Sequence, residues 1–221
     1  MGILITLLGA ECTGKSTLAR GLVAHLCSQG ADAVAVSEYL REWCDVHQRT
    51  PLPHEQQHIA HTQQARIAAA TAQHAMVVAD TTALVTAVYS EMLFADSALL
   101  ASALTQQRAA SLNLLMGLDL AWQADGLQRD GAHTRAPLDQ RLRSALTSAG
   151  IAYQVVYGQG PMRLKNAIDS IATCAAFPWA RAIKPVKKWA WLCDKCSDPD
   201  CEHQLFTQHV KQQPLNNANR H

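Results

Sequence analysis

The run Gly9-Ala10-Glu11-Cys12-Thr13-Gly14-Lys15-Ser16, with Thr17 behind it, has the spacing G-x-x-x-x-G-K-S. Each residue type there suits one task, the binding of a chain of phosphates. Gly9 and Gly14 reach backbone angles that a side chain opposes, so successive N–H groups can turn toward one anion. Ala10, Glu11, Cys12 and Thr13 supply the backbone between them. A helix starting near Lys15 adds its positive end. Lys15 would reach the β- and γ-phosphates of ATP, and the Ser16 hydroxyl would ligate Mg²⁺. Cys12 reads as a small residue tolerated where only the backbone is used, and as an oxidisable thiol.

Other residues could complete the chemistry. Asp80-Thr81-Thr82 closes the apolar run 75–79. An aspartate at the tip of a buried strand in a phosphate-binding protein serves Mg²⁺ or the phosphoryl acceptor. Any of the three residues could instead cap the next helix. Glu38-Tyr39-Leu40-Arg41 follows the short strand-like run 32–37. Ligands of open parallel sheets bind beyond the strands' C-terminal ends, which places Glu38 and Arg41 near a substrate. The alternative is an i, i+3 ion pair at a helix start. Between 119 and 135 the chain is polar and glycine-punctuated and carries Arg129 and Arg135. That composition suits a lid over phosphates, whose arginines neutralise charge on the transferred group. An ordinary surface loop is the other reading. His54, His58 and His61 share a helix face, but no acidic partner stands with them, so a packed or solvated face is expected.

These residues need elements to position them. Apolar runs at 3–8, 32–37, 75–79, 112–118 and 153–157 read as strands, and 15–28, 54–74, 83–92, 97–111, 137–148 and 162–175 as helices. Alternation of this kind predicts an α/β fold, a P-loop NTPase of the nucleoside- or nucleotide-kinase type, with a parallel five-stranded sheet flanked by helices. The expected division is a kinase domain at 1–177, a cysteine-rich tail at 178–211 and a disordered end at 212–221.

In that tail Cys193, Cys196, Cys201 and His203 form C-x2-C-x4-C-x-H. Three cysteines and a histidine so close suit a structural Zn²⁺ site, with His209 an alternative fourth ligand. The basic, aromatic strip at 184–191 is expected to pack on the kinase body rather than bind nucleic acid, because acids are mixed in.

The chain has 221 residues and a net charge of +1, with no apolar run near the length that spans a bilayer. No secretory leader is read at the start, so the expectation is a cytoplasmic protein, neither a polycation nor a membrane protein. Four scattered cysteines, Cys12, Cys27, Cys44 and Cys174, fit a reducing compartment.

Together the pattern resembles the ribosylnicotinamide kinase domain of the NadR family, over about residues 3–175. The loop G-A-E-C-T-G-K-S-T is similar to that family's G-x-E-S-x-G-K-S-T, Glu11 included. Glu38-Tyr39-x-Arg41 is similar to its E-Y-x-R, Val77-Val78-Ala79-Asp80-Thr81 to its strand ending in D-T, and Trp122-x-x-Asp125-Gly126-x-Arg129 to its W-x-x-D-G-x-R. The resemblance implies ATP-dependent phosphorylation of a ribosyl 5′-hydroxyl, giving nicotinamide mononucleotide. Asp80 would then accept the hydroxyl proton, or hold Mg²⁺ and ribose. Glu38, Tyr39, Arg41, Trp122 and Asp125 would line the acceptor pocket, and Arg129 would clamp phosphates. A small nucleoside-like molecule is thus the expected partner, and the oligomeric state is open. A second reading is a regulatory ATP-binding module whose tail recognises a partner or nucleic acid.

Overall fold

A computed structural model describes residues 2–123 and 131–174. Five strands form one parallel sheet in the order β2-β3-β1-β4-β5. They are β1 (Ile3–Leu8), β2 (Ala33–Val36), β3 (Met76–Asp80), β4 (Leu112–Met116) and β5 (Gln154–Val156). The three central strands are apolar almost throughout and buried on both faces, as strands covered by helices on either side must be.

Seven α-helices accompany them among the described residues: α1 (Lys15–Ser28), α2 (Tyr39–His47), α3 (Gln56–Gln73), α4 (Ala83–Phe94), α5 (Leu100–Gln107), α6 (Arg135–Ser148) and α7 (Pro161–Thr173). Ile5 and Leu7 of β1 face one core with Leu18, Leu22 and Leu26 of α1 and Ala167 and Ile171 of α7. Leu8 and Leu115 face the other, with Leu84 and Val88 of α4 and Leu138, Leu142 and Leu146 of α6. Alternate residues of a strand point to opposite faces, so one apolar run serves two cores. On α3 the buried positions 56, 59, 60, 63 and 67 recur at helical spacing and include two glutamines.

The outline matches the expected α/β architecture, with local differences. Helix α2 was not anticipated as a separate element; Trp43 and Cys44 bury it against Ile59 of α3. Helix α6 begins at Arg135 rather than 137, and α5 is shorter than 97–111. Among the described residues no helix is long and apolar enough to cross a membrane.

Register decides where the chemistry meets. Leu7 of β1 pairs with Asp80 of β3. The phosphate-binding run starts two residues beyond Leu7, so it and Asp80 emerge side by side at the C-terminal edge of the sheet. The order in which strands are added reverses about β1, and crevices for ligands form at such switch points.

Candidate active site

Gly9 (φ 140°) and Gly14 (φ 78°) bend the loop between β1 and α1. A Cβ on Gly9 would stand 3.0 Å from the Met116 side chain, and one on Gly14 the same distance from Leu120, so both positions are closed to larger residues. Lys15 is buried, and its Nζ donates to the carbonyls of Gly9 (3.0 Å) and Ala10 (2.9 Å). The Thr13 hydroxyl donates to the Ala10 carbonyl at 2.7 Å. These bonds point carbonyls toward the lysine and leave the loop's amides to face outward.

A side chain outside the motif braces the loop. Arg163 of α7 is 4% exposed. Its Nη1 donates to the Thr13 carbonyl at 2.6 Å and its Nε to the Gly158 carbonyl at 2.7 Å, while Nη2 meets the Asp119 carboxylate. The other Asp119 oxygen accepts the Gly158 N–H at 2.7 Å. Burial pulls the guanidinium below its usual range, against the opposing pull of Asp119. Neither Arg163 nor Asp119 belongs to a local motif; packing of α7 on α1 brings in Arg163, and the pairing of β4 with β1 brings in Asp119.

Glu11 has a comparable role on the other flank. One carboxylate oxygen accepts the Trp122 indole N–H (3.1 Å), the Gly131 N–H (3.2 Å) and the Thr134 hydroxyl (3.4 Å). Cys12, at φ 54°, holds the Gln123 backbone through its sulfur, donating to the carbonyl at 3.1 Å and accepting the N–H at 3.4 Å.

A cavity of about 1170 Å³ opens from this loop. Glu11, Cys12, Thr13, Gly14, Lys15, Ser16 and Thr17 line it, together with Glu38, Arg41, Asp45, Asp80 and Thr81. Glu38 and Arg41 form an ion pair at 3.7 Å, and both also stand in the cavity lining. Asp80 is 4% exposed, and its Oδ1 has no hydrogen-bond partner among the described residues. A buried carboxylate oxygen without a partner is costly, and it fits a site built to take a proton, a hydroxyl or a cation. Helix α4 adds a wall that sequence reasoning missed. Val85, Tyr89 and Leu93 recur at i, i+4 and i+8, and Phe94 joins them. The apolar content of α4 is spread around the helix, so no single stripe marked these positions. Cys44 also lines the cavity; burial pushes its thiol up, away from the reactive thiolate.

Some anticipated contacts stand elsewhere. Gly9 and Ala10 act beneath the cavity through their carbonyls. Tyr39 does not line it: its hydroxyl meets His58 Nε2 at 3.2 Å, and Arg66 lies 4.5 Å over its ring. Trp122 is likewise committed to Glu11 rather than to the cavity wall. Arg135 opens α6 and is buried, with Nη2 3.5 Å from the Leu118 carbonyl, so it is a helix residue rather than part of a loop, and it is not among the residues lining the cavity. Asp125, Arg129, Cys193, Cys196, Cys201 and His203 lie outside the described residues, as do the tail and the end of the chain. Among the described residues no cluster of three or more metal-ligating side chains occurs.

A family model described as an AAA domain matches residues 4–163. The chain belongs to that family. Its fold is also that of solved NadR structures. One, a NadR protein in complex with NR, superposes with a TM-score of 0.67 at 19% identity, over 85% of this chain and 54% of that one. Another, with NAD and AMP-PNP, gives 0.62 at 17% identity, over 86% and 52%. The chain thus spans about half the length of these NadR chains. A search of curated proteins finds no match. The AAA-domain chain therefore has a P-loop nucleotide-binding fold like that of NadR, with the loop, Asp80 and the α4 residues on one cavity.

Proposed function

We propose that this protein transfers the γ-phosphoryl group of ATP to the hydroxyl of a small nucleoside-like acceptor, nicotinamide riboside being the best candidate. The observation that carries the reading is the shared cavity, lined by the phosphate loop and by Asp80, whose buried Oδ1 has no hydrogen-bond partner among the described residues. Its volume exceeds what one drug-sized ligand fills, which suits two substrates at once. The named ligands of the similar NadR structures, NR in one and AMP-PNP in the other, support the same pairing.

In this reading the loop amides, Lys15 and the α1 N-terminus bind and orient the triphosphate. The acceptor oxygen bonds to the γ-phosphorus as the bond to the β-phosphate oxygen breaks and ADP leaves. Asp80 takes the acceptor's proton or holds its hydroxyl in place. Glu38 and Arg41 bind the polar part of the acceptor, while Tyr89 and Phe94 offer rings to its base. Ser16 and Asp80 are an oxygen donor pair of the kind Mg²⁺ takes, and that ion would neutralise charge on the phosphates. Positioning and electrostatics supply most of the rate. Arg129 is proposed as the phosphate clamp and Asp125 as an acceptor contact, on the family resemblance. Cys193, Cys196, Cys201 and His203 are proposed to hold one structural Zn²⁺.

The test is direct. Purified protein, ATP and Mg²⁺ are incubated with nicotinamide riboside and a panel of other nucleosides, and products are read by mass spectrometry. The expected result is ADP with the phosphorylated riboside. Tight ATP binding with no phosphorylation of any member would reject the reading.

A further inference from the structure

The turn after β3 carries a residue that phosphate binding does not need. Thr81 has φ 79°, a left-handed conformation that a β-branched side chain strongly resists. It is 3% exposed, and its Oγ1 is buried without a hydrogen-bond partner among the described residues. The backbone around it, by contrast, is held from several sides. The Thr81 N–H donates to the Leu7 carbonyl of β1 at 3.2 Å. Its carbonyl accepts Gln63 Nε2 of α3 at 3.3 Å, and Gln63 Oε1 accepts the Tyr39 N–H of α2 at 2.8 Å. The next residue, Thr82, donates its hydroxyl to Gln107 of α5 at 2.7 Å. Gln63 and Gln107 are themselves almost fully buried. Bonds from β1 and α3, backed by α2 and α5, therefore hold a strained backbone, and they hold it at a residue that stands next to Asp80 in the cavity lining. Strain kept in place by its surroundings is a mark of functional sites, and a buried hydroxyl with no internal partner is built for an external one.

We propose that the Thr81 hydroxyl is a specificity contact for the phosphoryl acceptor, hydrogen-bonding a second sugar hydroxyl while Asp80 addresses the one that is phosphorylated. The substrate class this selects is a ribosyl compound over its deoxy counterparts. Gln63 acts as a positioning residue, tying the Glu38-Tyr39 corner to the Asp80-Thr81 turn. The inference rests on the phosphotransferase reading of the cavity.

Calorimetric titrations with nicotinamide riboside and its 2′- and 3′-deoxy analogues, in the presence of AMP-PNP and Mg²⁺, test it on wild type, Thr81→Val and Thr81→Ser. Melting temperatures are read on the same samples. Thr81→Val is expected to weaken riboside binding about tenfold, the loss of one hydrogen bond to a buried partner. It should leave the analogue lacking the matching hydroxyl unaffected, and it should melt no lower than wild type, since the hydroxyl has no internal bond to lose. Thr81→Ser should keep the riboside preference. Equal riboside affinity in wild type and Thr81→Val overturns the assignment. So does an equal weakening for all three ligands with a lower melting temperature, which marks a structural role. If wild type binds AMP-PNP but none of these ligands, the nucleoside-kinase reading fails first and this assignment with it.

Discussion

Lys15 and Asp80 sit on the same cavity yet are held differently. Lys15 is anchored to two loop carbonyls, and the buried Asp80 oxygen has no such anchor. Their substitutions should therefore separate. Lys15→Met is expected to weaken ATP binding, read by calorimetry. Asp80→Asn, of the same shape, should leave ATP affinity near wild type and lower kcat by about 10²–10⁴ in a product assay. Equal kcat for Asp80→Asn and wild type would remove Asp80 from the chemistry. Glu55 supplies a prediction on stability. It pairs with Arg49 at 2.7 Å and caps the Leu52 N–H at 2.7 Å. The Arg49 hydrogen bond, then the Leu52 N–H, pull its carboxyl from 4.5 down to about 2. The folded state keeps Glu55 charged where the unfolded chain has already taken up a proton. The resulting stability is complete above about pH 4.5 and is lost as pH falls toward about 2. Urea midpoints should thus favour wild type over Glu55→Gln at neutral pH, with the gap closing near pH 2, and shrinking in high salt because the pair is exposed. A gap that persists at low pH would contradict the pairing.

At the scale of elements, the site depends on side chains that cross between them. Arg163 carries bonds from α7 to Thr13 in the phosphate loop, to Gly158 and to Asp119 at the end of β4. A lysine there cannot make three divergent bonds from one point charge. Arg163→Lys is expected to weaken ATP binding, and Arg163→Met to cost about 1–3 kcal/mol of stability, because the Thr13 and Gly158 carbonyls lose their donor. Urea unfolding of each variant gives the measurement. A variant as stable as wild type would show that the brace is dispensable. A second crossing is the buried set Thr6, Gln107 and Asn113. Gln107 Nε2 donates to Thr6 Oγ1 at 2.9 Å and Asn113 Oδ1 at 2.6 Å, and Asn113 Nδ2 reaches the Ala152 carbonyl at 3.0 Å. Through Thr82 it links β1, β4 and α5 to the start of α4, where the Asp80–Thr82 turn ends.

For the whole molecule, the described fold ends near the close of the AAA-domain match, and the cysteine-rich segment follows it in sequence. The proposed Zn²⁺ is structural, with four protein ligands and no open position, so it should be separable from phosphoryl transfer. Elemental analysis of the full chain is expected to show about one zinc. Cys193→Ser should lose it while the kinase product assay changes little. Retained zinc in that variant would reject the ligand set, and lost activity would tie the tail to catalysis.

Much of the site could be read along the chain because the phosphate loop is a local object. Its spacing, the strand before it and the helix after it are contiguous, so Gly9 to Thr17 declare their role without distant partners. The same holds for the five parallel strands, whose apolar runs are set by burial on both faces, and for Asp80 at the tip of one of them. The tertiary structure decided everything that depends on register and on contacts between remote segments. Pairing of Leu7 with Asp80 set the two halves of the site side by side. Packing of α1 on α7 brought in Arg163, and packing of α3 beneath the sheet edge brought in Gln63. Such contacts join residues 18 or more positions apart by way of surfaces, and surface fit leaves no periodic trace in a sequence. The same reason explains the partners of Tyr39 and Trp122, His58 and Glu11, which their neighbours in the chain did not announce.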